Sequence, residues 1–384
     1  MSARSWLLVS VVASLLAIGL VVLYSATAIR CDQLKGGDAL FFFRKQLLWT
    51  ALSAGALLLA MRIPISWWSR SKIPLLALTV ALLALVLIPG VGTAKKGASR
   101  WFEVAGWSLQ PSELAKLTLI AFLCSFASEA PDRLRSFFRG FLPCFGALAV
   151  VCGLIARQPD AGTAAFLGGV GAMTLFVAGI RLRHLVPALL AGGAVGGWFV
   201  YSHFGHVRDR LTVWLHPESA PLDKAHQLKQ SLIALGAGGW WGKGLGAGTQ
   251  KLYYLPEVHA DFLFPILGEE LGFVGTIGVL LLYLTLGAVG WKIARRSSTP
   301  FGFLFALGIS GLILFQAAMN IAVVTGMVPT KGIPLPFLSS GGSALLFAMI
   351  GIGILLRIDR EGERCAGSSW PEGAPEAIST PALR

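Results

Sequence analysis

The apolar positions along this chain do not recur on one face. Whole blocks are apolar on every side, and short charged or Gly- and Pro-rich stretches separate them. A helix that is apolar all round has lipid or protein interior as its solvent. Crossing a bilayer takes about 17–25 such residues. Ten stretches qualify: 6–29, 46–62, 73–89, 113–128, 140–156, 162–180, 185–203, 264–291, 301–325 and 338–357. The pattern therefore predicts an all-α polytopic membrane protein of about ten transmembrane helices, one domain over residues 1–358. The polar tail 359–384, rich in Pro, Gly and Ser, is expected to be disordered. The first span is long for the core of a cleaved leader and ends in "SATAIRCDQ", so a retained signal anchor is expected.

Orientation follows from the short loops. "RIPISWWSRSK" (62–72), "DRLRSFFR" (132–139), "RLRH" (181–184), "KIARR" (292–296) and "RIDREGER" (357–364) share one side, which the positive-inside rule makes cytoplasmic. Both termini then lie inside, and a large loop between the seventh and eighth spans, 204–263, lies outside with 90–112 and 326–337. The formal net charge of +13 is explained in part by this pattern. The remainder faces outward: Arg100, Arg157, Arg208, Arg210, Lys243, Lys251 and Lys331. Outward cations at a membrane suit an anionic lipid, above all a lipid phosphate. Nucleic acid is excluded, because that would need a solvated basic domain. The five cysteines have no paired spacing and read as small packing residues.

Polar groups at membrane depth carry the candidate chemistry. In "SLQPSELAKL" (108–117), Pro111 suits a first helical turn, and Glu113 and Lys116 share a helix face. They read either as a structural ion pair or as an oriented cation facing a polar cavity, and the two are compatible. Asp160 in "RQPDAGTA" (157–164) reads as a helix cap or as a site carboxylate. In "GMVPTKGIPLPFLSSGGSALL" (326–346), non-helical backbone this near the membrane needs a cavity or a protein interior beside it. Lys331, Ser339 and Ser340 are expected to point toward something polar. "SLIALGAGGWW" suits a short interfacial helix with Trp240 and Trp241 at headgroup level. The glycines that follow, Gly242, Gly244, Gly246 and Gly248, form a loop between Lys243 and Lys251, either a phosphate cradle or a plain flexible connection. It lacks the Walker spacing, so nucleotide binding is not expected.

"LPEVHADFLFPILGEELG" (255–272) places Asp261 at the edge of an apolar run and Glu269 and Glu270 inside it. Were Asp261 the N-cap, Pro265 would be the fourth helical residue, the first whose N–H the helix needs. The alternative is an acceptor at the mouth of an outward cavity, near His259, with its pKa raised by desolvation toward that of a general base. At least one of Glu269 and Glu270 must face the protein interior, because charge in lipid is costly.

Together "KGASRW", "QPSELAKL", "RQPDAGTA", "QSLIALGAGGWWGKGLGAGTQKLYYLPEVHADFLF", "GEELGFVG" and "KGIPLPFLSSGGS" resemble the SEDS family (shape, elongation, division and sporulation) over most of the chain and in the same order. The resemblance implies a peptidoglycan glycosyltransferase polymerising lipid II at the outer face of the cytoplasmic membrane, by inverting transfer onto a sugar hydroxyl. It matches Asp261 to the family's essential acid and implies that Arg100, Lys116 and Lys331 lie near the diphosphate, with Glu113 orienting Lys116. The predicted substrate-facing set is Arg100, Gln110, Glu113, Lys116, Asp160, Lys243, His259, Lys331 and Ser339. A divalent ion (Mg or Mn) could share the neutralising role, although no clear ligand set is present and no other cofactor is evident. The implied partner is a single-span class B penicillin-binding protein, a transpeptidase, among other division or elongation proteins.

"GEELG" and "TKG" look more like the division branch than the elongation branch. The sequence departs from the family at Ser340, where an aromatic is frequent, and at Ala260, where Thr is frequent; neither change removes a charge. The rival reading is a lipid II flippase. That would spread charge through the bilayer midplane, whereas the charged residues here gather at the expected outer edge. A third reading, a scaffold for the division machinery, would leave Asp261 dispensable.

Overall fold

The computed structural model describes residues 2–34, 38, 40–95, 98–104, 107–216, 222–250 and 261–367. Helices dominate: α1 (Ala3–Leu34), α2 (Phe41–Ala60), α3 (Ile65–Arg70), α4 (Lys72–Leu85), α5 (Pro111–Glu129), α6 (Leu142–Arg157), α7 (Ala161–Val177), α8 (Leu182–His203), α9 (Gly205–Leu215), α10 (Leu222–Ala237), α11 (Leu263–Arg295), α12 (Pro300–Val324) and α13 (Gly342–Gly367). Each of the ten apolar stretches overlaps one of these helices. Among the described residues six helices are long and apolar enough to cross a membrane, namely α1, α6 with the π-helical turn before it, α8, α11, α12 and α13. The chain is thus a polytopic helical membrane protein.

Helices α5 and α12 form the centre. α5 packs on α4, α6, α7 and α12, and most of its residues are buried. Its sequence alternates small residues with Leu and Ile, so neighbours approach on all sides. α8, by contrast, buries only Leu185 and Val200 and presents the rest outward, as a lipid-facing helix does. Three short strands, β1 (Thr93–Lys95), β2 (Ala98–Val104) and β3 (Trp107–Leu109), pair as an antiparallel meander. The hydropathy pattern does not reveal this meander. It ends directly before Pro111, which occupies the first turn of α5 as predicted.

α13 starts later than the apolar pattern implies, at Gly342, because residues 333–341 are used in a buried turn. It also runs past Asp359 to Gly367, so residues 359–367 are helical and not part of a disordered tail. The reason is a latch. Buried Asp359 accepts hydrogen bonds from Ser2 Oγ, Ser5 Oγ (2.6 Å) and Arg4 Nε (3.0 Å). A buried carboxylate with three donors is compensated, and the helix that carries it is held in register against the start of α1.

The glycine-rich loop explains itself through α11. That helix is broken at Gly272, whose φ of 68° and ψ of −167° are non-helical. The break would orphan the carbonyls of Glu269 and Glu270 and the N–H groups of Phe273 and Val274, which an unbroken helix would pair with one another. Instead the 239–244 turn inserts into the gap. Lys243 N donates to Glu269 O (3.0 Å) and Gly244 N to Glu270 O (3.0 Å), while Phe273 N donates to Gly239 O (2.9 Å) and Val274 N to Trp240 O (3.2 Å). This exchange satisfies four backbone groups at a depth where each orphan would cost several kcal/mol. Only glycine fits the approach: a Cβ at Gly242 (φ 78°) would lie 2.2 Å from Glu270 O, and one at Gly272 would lie 2.3 Å from Gly242 N. The Glu269 carboxylate, fully buried, then clasps the rest of the loop, accepting from Lys243 Nζ (2.7 Å), Thr249 N (2.9 Å), Thr249 Oγ1 (3.0 Å) and Gln250 N (3.1 Å). The described part of the loop is more than a plain connection: it is a splice in a broken helix. Lys251, at its far end, lies outside the described residues.

Gly242→Ala and Gly272→Ala should each lower stability by about 3 kcal/mol or more, because both a left-handed φ and a backbone overlap oppose the methyl. Gly278→Ala, whose added carbon would meet nothing within 4 Å, should leave the melting temperature in detergent unchanged or raised. Equal melting temperatures for all three variants would refute the splice.

Candidate functional site

The predicted polar residues converge at one end of the bundle, where the first turns of α5 and α7, the start of α11, the last turns of α12 and the α12–α13 loop meet. On α5, Glu113 and Lys116 are both buried and paired as their spacing predicts, with Lys116 Nζ donating to Glu113 Oε1 at 2.7 Å. The ammonium also donates to Gln316 Oε1 on α12 (3.0 Å) and lies 5.4 Å from the centre of the Phe166 ring. A small cavity of about 30 Å³, room for one or two waters, opens beside this group and is also lined by Pro334 and Ser339.

Asp160 is the N-cap of α7, its Oδ1 accepting from Thr163 N at 3.1 Å. Its other oxygen lies 3.5 Å from Arg100 Nη1. The carboxylate therefore caps α7 and pairs with Arg100 at once. Arg100, delivered by β2, also donates Nε to Gln158 O (2.9 Å) and Nη2 to Pro159 O. It thus braces the turn ahead of α7. Lys331 reaches across from the α12–α13 loop to lie over Gly162, where a Cβ would meet its Cδ at 2.0 Å. Its Nζ is buried with no hydrogen-bond partner among the described residues.

Asp261 is not a helix cap. The N-cap of α11 is Phe262, without a side-chain bond, and Asp261 precedes it in a turn. Pro265 thus takes the third helical position, where no backbone N–H is yet required. The carboxylate of Asp261 faces Gly332: a Cβ there would stand 2.4 Å from Oδ2. Adjacent loop residues, Lys331 and Gly332, therefore touch α7 and Asp261 respectively. The Asp261 carbonyl accepts from Asn320 Nδ2 of α12 at 2.9 Å. Arg210 on α9 completes the cluster. Partial desolvation and then Arg100 draw its pKa below the ordinary value, while Asp261 and Asp160 act in the opposite direction. α9 and α10 are tied over this end by Trp214 Nε1 donating to Gly326 O (3.0 Å) and Ser231 Oγ donating to Val324 O (2.7 Å).

The remaining predicted residues divide. Ser339 is buried and supports the loop, its Oγ accepting from Leu335 N at 3.0 Å. Gln110 is the N-cap of α5, with no side-chain capping bond. Lys243 is paired with Glu269, about two turns along α11 from Asp261, and is not among the groups that gather around that acid. His259 and Ala260 lie outside the described residues. Among the described residues no three His, Cys, Asp or Glu side chains form a metal-binding group, and Glu113 and Asp160 are already engaged by Lys116 and Arg100.

Comparison with known proteins bears on this arrangement. Residues 5–364 match the cell cycle protein family FtsW/RodA/SpoVE. The chain belongs to that family. It is 41% identical over 354 residues to a probable peptidoglycan glycosyltransferase FtsW of Trichlorobacter lovleyi, covering 91% of this chain and 92% of that one. It is 42% identical over 356 residues to the stage V sporulation protein E of Bacillus subtilis, covering 92% and 96%. Among solved structures it resembles the rod shape determining protein RodA of Thermus thermophilus (TM-score 0.68, 28% identity, 93% of this chain and 96% of that one). It also resembles a chain from a study of how a peptidoglycan synthase complex coordinates polymerization and crosslinking (TM-score 0.77, 28% identity, 94% and 99%).

In this FtsW/RodA/SpoVE protein the sequence reading missed Gln316 and Asn320 as site residues, and took Arg210 only as surplus charge. The two amides sit one turn apart inside an otherwise apolar span, "FQAAMN" (315–320), which was the available signal.

Lys331 makes a pH prediction. Burial, against the opposing pull of Asp160, pushes its pKa down to about 7, with Lys116 and Arg100 adding to the drop. An unfolded chain holds that proton up to about pH 10.4, so folding releases it between these values and stability rises with pH across the window. Lys331→Met should therefore melt above the wild type at pH 6, and its advantage should shrink toward pH 10. A gap independent of pH in thermal unfolding would refute the lowered pKa of Lys331.

Proposed function

We propose that this chain is a peptidoglycan glycosyltransferase that polymerises lipid II into glycan strands, in septal wall synthesis during cell division. The observation that carries the reading is the meeting of one acid, Asp261, with Arg100, Lys331 and Arg210 at a single end of a helical membrane bundle, beside the Lys116–Glu113 pair. Asp261 takes the proton from the 4-hydroxyl of the acceptor's GlcNAc as that oxygen attacks C1 of the donor's MurNAc. The C1–O bond breaks with inversion, and undecaprenyl diphosphate departs with the electron pair. The cations offset the negative charge that grows on the diphosphate. Glu113 orients Lys116, and Asp160 fixes Arg100. Lys243 is left out of this set, because its ammonium is committed to Glu269. No step is assigned to a divalent ion, because Glu113 and Asp160 are already committed to cations.

The topology proposed with this function has ten spans and both termini in the cytoplasm, with the site at the outer face of the cytoplasmic membrane. The Arg- and Lys-rich short loops support that orientation. The partner is a single-span class B penicillin-binding protein, a reading supported by the structural likeness to a chain from a peptidoglycan synthase complex. Charge concentrated at one end of the bundle favours an enzyme over a lipid II flippase.

Asp261→Asn in purified protein should cut glycan synthesis from labelled lipid II by at least about 100-fold. Polymerisation at a near-normal rate would refute the assignment of the base, and flipping in liposomes without polymerisation would favour the transporter.

A further inference from the structure

Asp261 lies in a turn, ahead of the first regular turn of α11, so no helical ladder holds its backbone. The loop facing it has the same difficulty. Residues 331–336 run as "KGIPLP", and Pro334 and Pro336 have no N–H with which to pair. Both segments are instead held from outside, by two buried amides on α12. Gln316 and Asn320 are four residues apart and so share one face of that helix. Their exposures are 7% and 1%.

Asn320 Nδ2 donates to Asp261 O at 2.9 Å and to Ile333 O at 2.7 Å. Gln316 Nε2 donates to Pro334 O at 2.9 Å, while its Oε1 accepts from Lys116 Nζ at 3.0 Å. The orientation of the Asn320 amide is fixed by chemistry. Both of its neighbours are carbonyl oxygens, and only the NH₂ end can serve them. Each of its two donors is spent, one on the segment that bears the acid and one on the loop that bears Lys331. Gly332 leaves room for the carboxylate between them. The Ile333 and Pro334 carbonyls are thus pinned to successive turns of a central, buried helix.

We propose that Asn320 is a positioning residue for Asp261: its two hydrogen bonds fix the backbone of the acid against the α12–α13 loop and thereby set where the carboxylate meets the acceptor hydroxyl. Gln316 anchors the same loop one turn away and ties it to Lys116, so acid and cation share one frame. The inference rests on the reading of Asp261 as the base. A misplacement of about 1 Å at a reacting group costs on the order of 100-fold in rate, whereas substrate affinity depends on the cations, which Asn320 does not touch.

The test is a double-mutant cycle with labelled lipid II and purified full-length protein: wild type, Asp261→Asn, Asn320→Leu and the double variant. Asn320→Leu should lower kcat roughly 10- to 100-fold with lipid II affinity within about twofold, and should cost little more when combined with Asp261→Asn. Asn320→Asp keeps the shape, but between two carbonyl oxygens its buried carboxyl holds its proton and can serve only one of them. It should lower kcat by about 3- to 30-fold with lipid II affinity within about twofold, and it carries the test if the Leu variant melts below the assay temperature.

Unchanged kcat in Asn320→Leu, unchanged kcat in Asn320→Asp, or an equal loss from Asn320→Leu with and without Asp261→Asn would each overturn the proposal. Full activity of Asp261→Asn alone would instead overturn the base assignment on which it rests.

Discussion

A charge or amide placed inside an apolar helical bundle has no water to bond, so its partner must come from elsewhere in the protein. This constraint organises the end of the bundle around Asp261. Lys116 is bound by Glu113 and Gln316, Arg100 by Asp160 and two carbonyls, and the backbone of Asp261 by Asn320. Each of these links joins different elements or different turns of one element. The polar groups therefore do for the geometry what a sheet or a disulfide does in a soluble enzyme: they hold irregular backbone at fixed places on a rigid scaffold.

The same constraint explains why the glycine-rich segment approaches α11 so closely. Breaking α11 at Gly272 frees four backbone groups, and the 239–244 turn re-pairs them all. A broken helix inside a membrane bundle is tolerated only when another part of the chain supplies the missing bonds. Here the supplier is followed in sequence by a loop that the buried Glu269 carboxylate then secures.

Much of this was legible in the sequence, for a physical reason. Charged residues in apolar runs are costly enough that their presence alone marks them, which is why Glu113, Lys116, Asp160, Asp261 and Lys331 stand out in the sequence alone. The pairing of Lys243 with Glu269 was not legible, because alternating glycines signal close backbone approach without saying to what; here the neighbour is a helix carbonyl. Gln316 and Asn320 escaped notice because an uncharged amide perturbs hydropathy little, although its two donors count for as much in the bonding. The meander at 93–109 was hidden for a different reason: three strands of three to seven residues leave too short a pattern to read. The extension of α13 to Gly367 was hidden because its stabilising contacts come from residues more than 350 positions earlier.

That last contact has a consequence for biogenesis. Ser2, Arg4 and Ser5 are made more than 350 residues before the carboxylate that satisfies them. Until α13 has been inserted, α1 can pack on α2 and α11, but its polar first turn lacks that carboxylate. Closure of this contact is therefore a late event, completed when two segments far apart in the chain find each other, and a nascent chain released before α13 would lack the means to finish it.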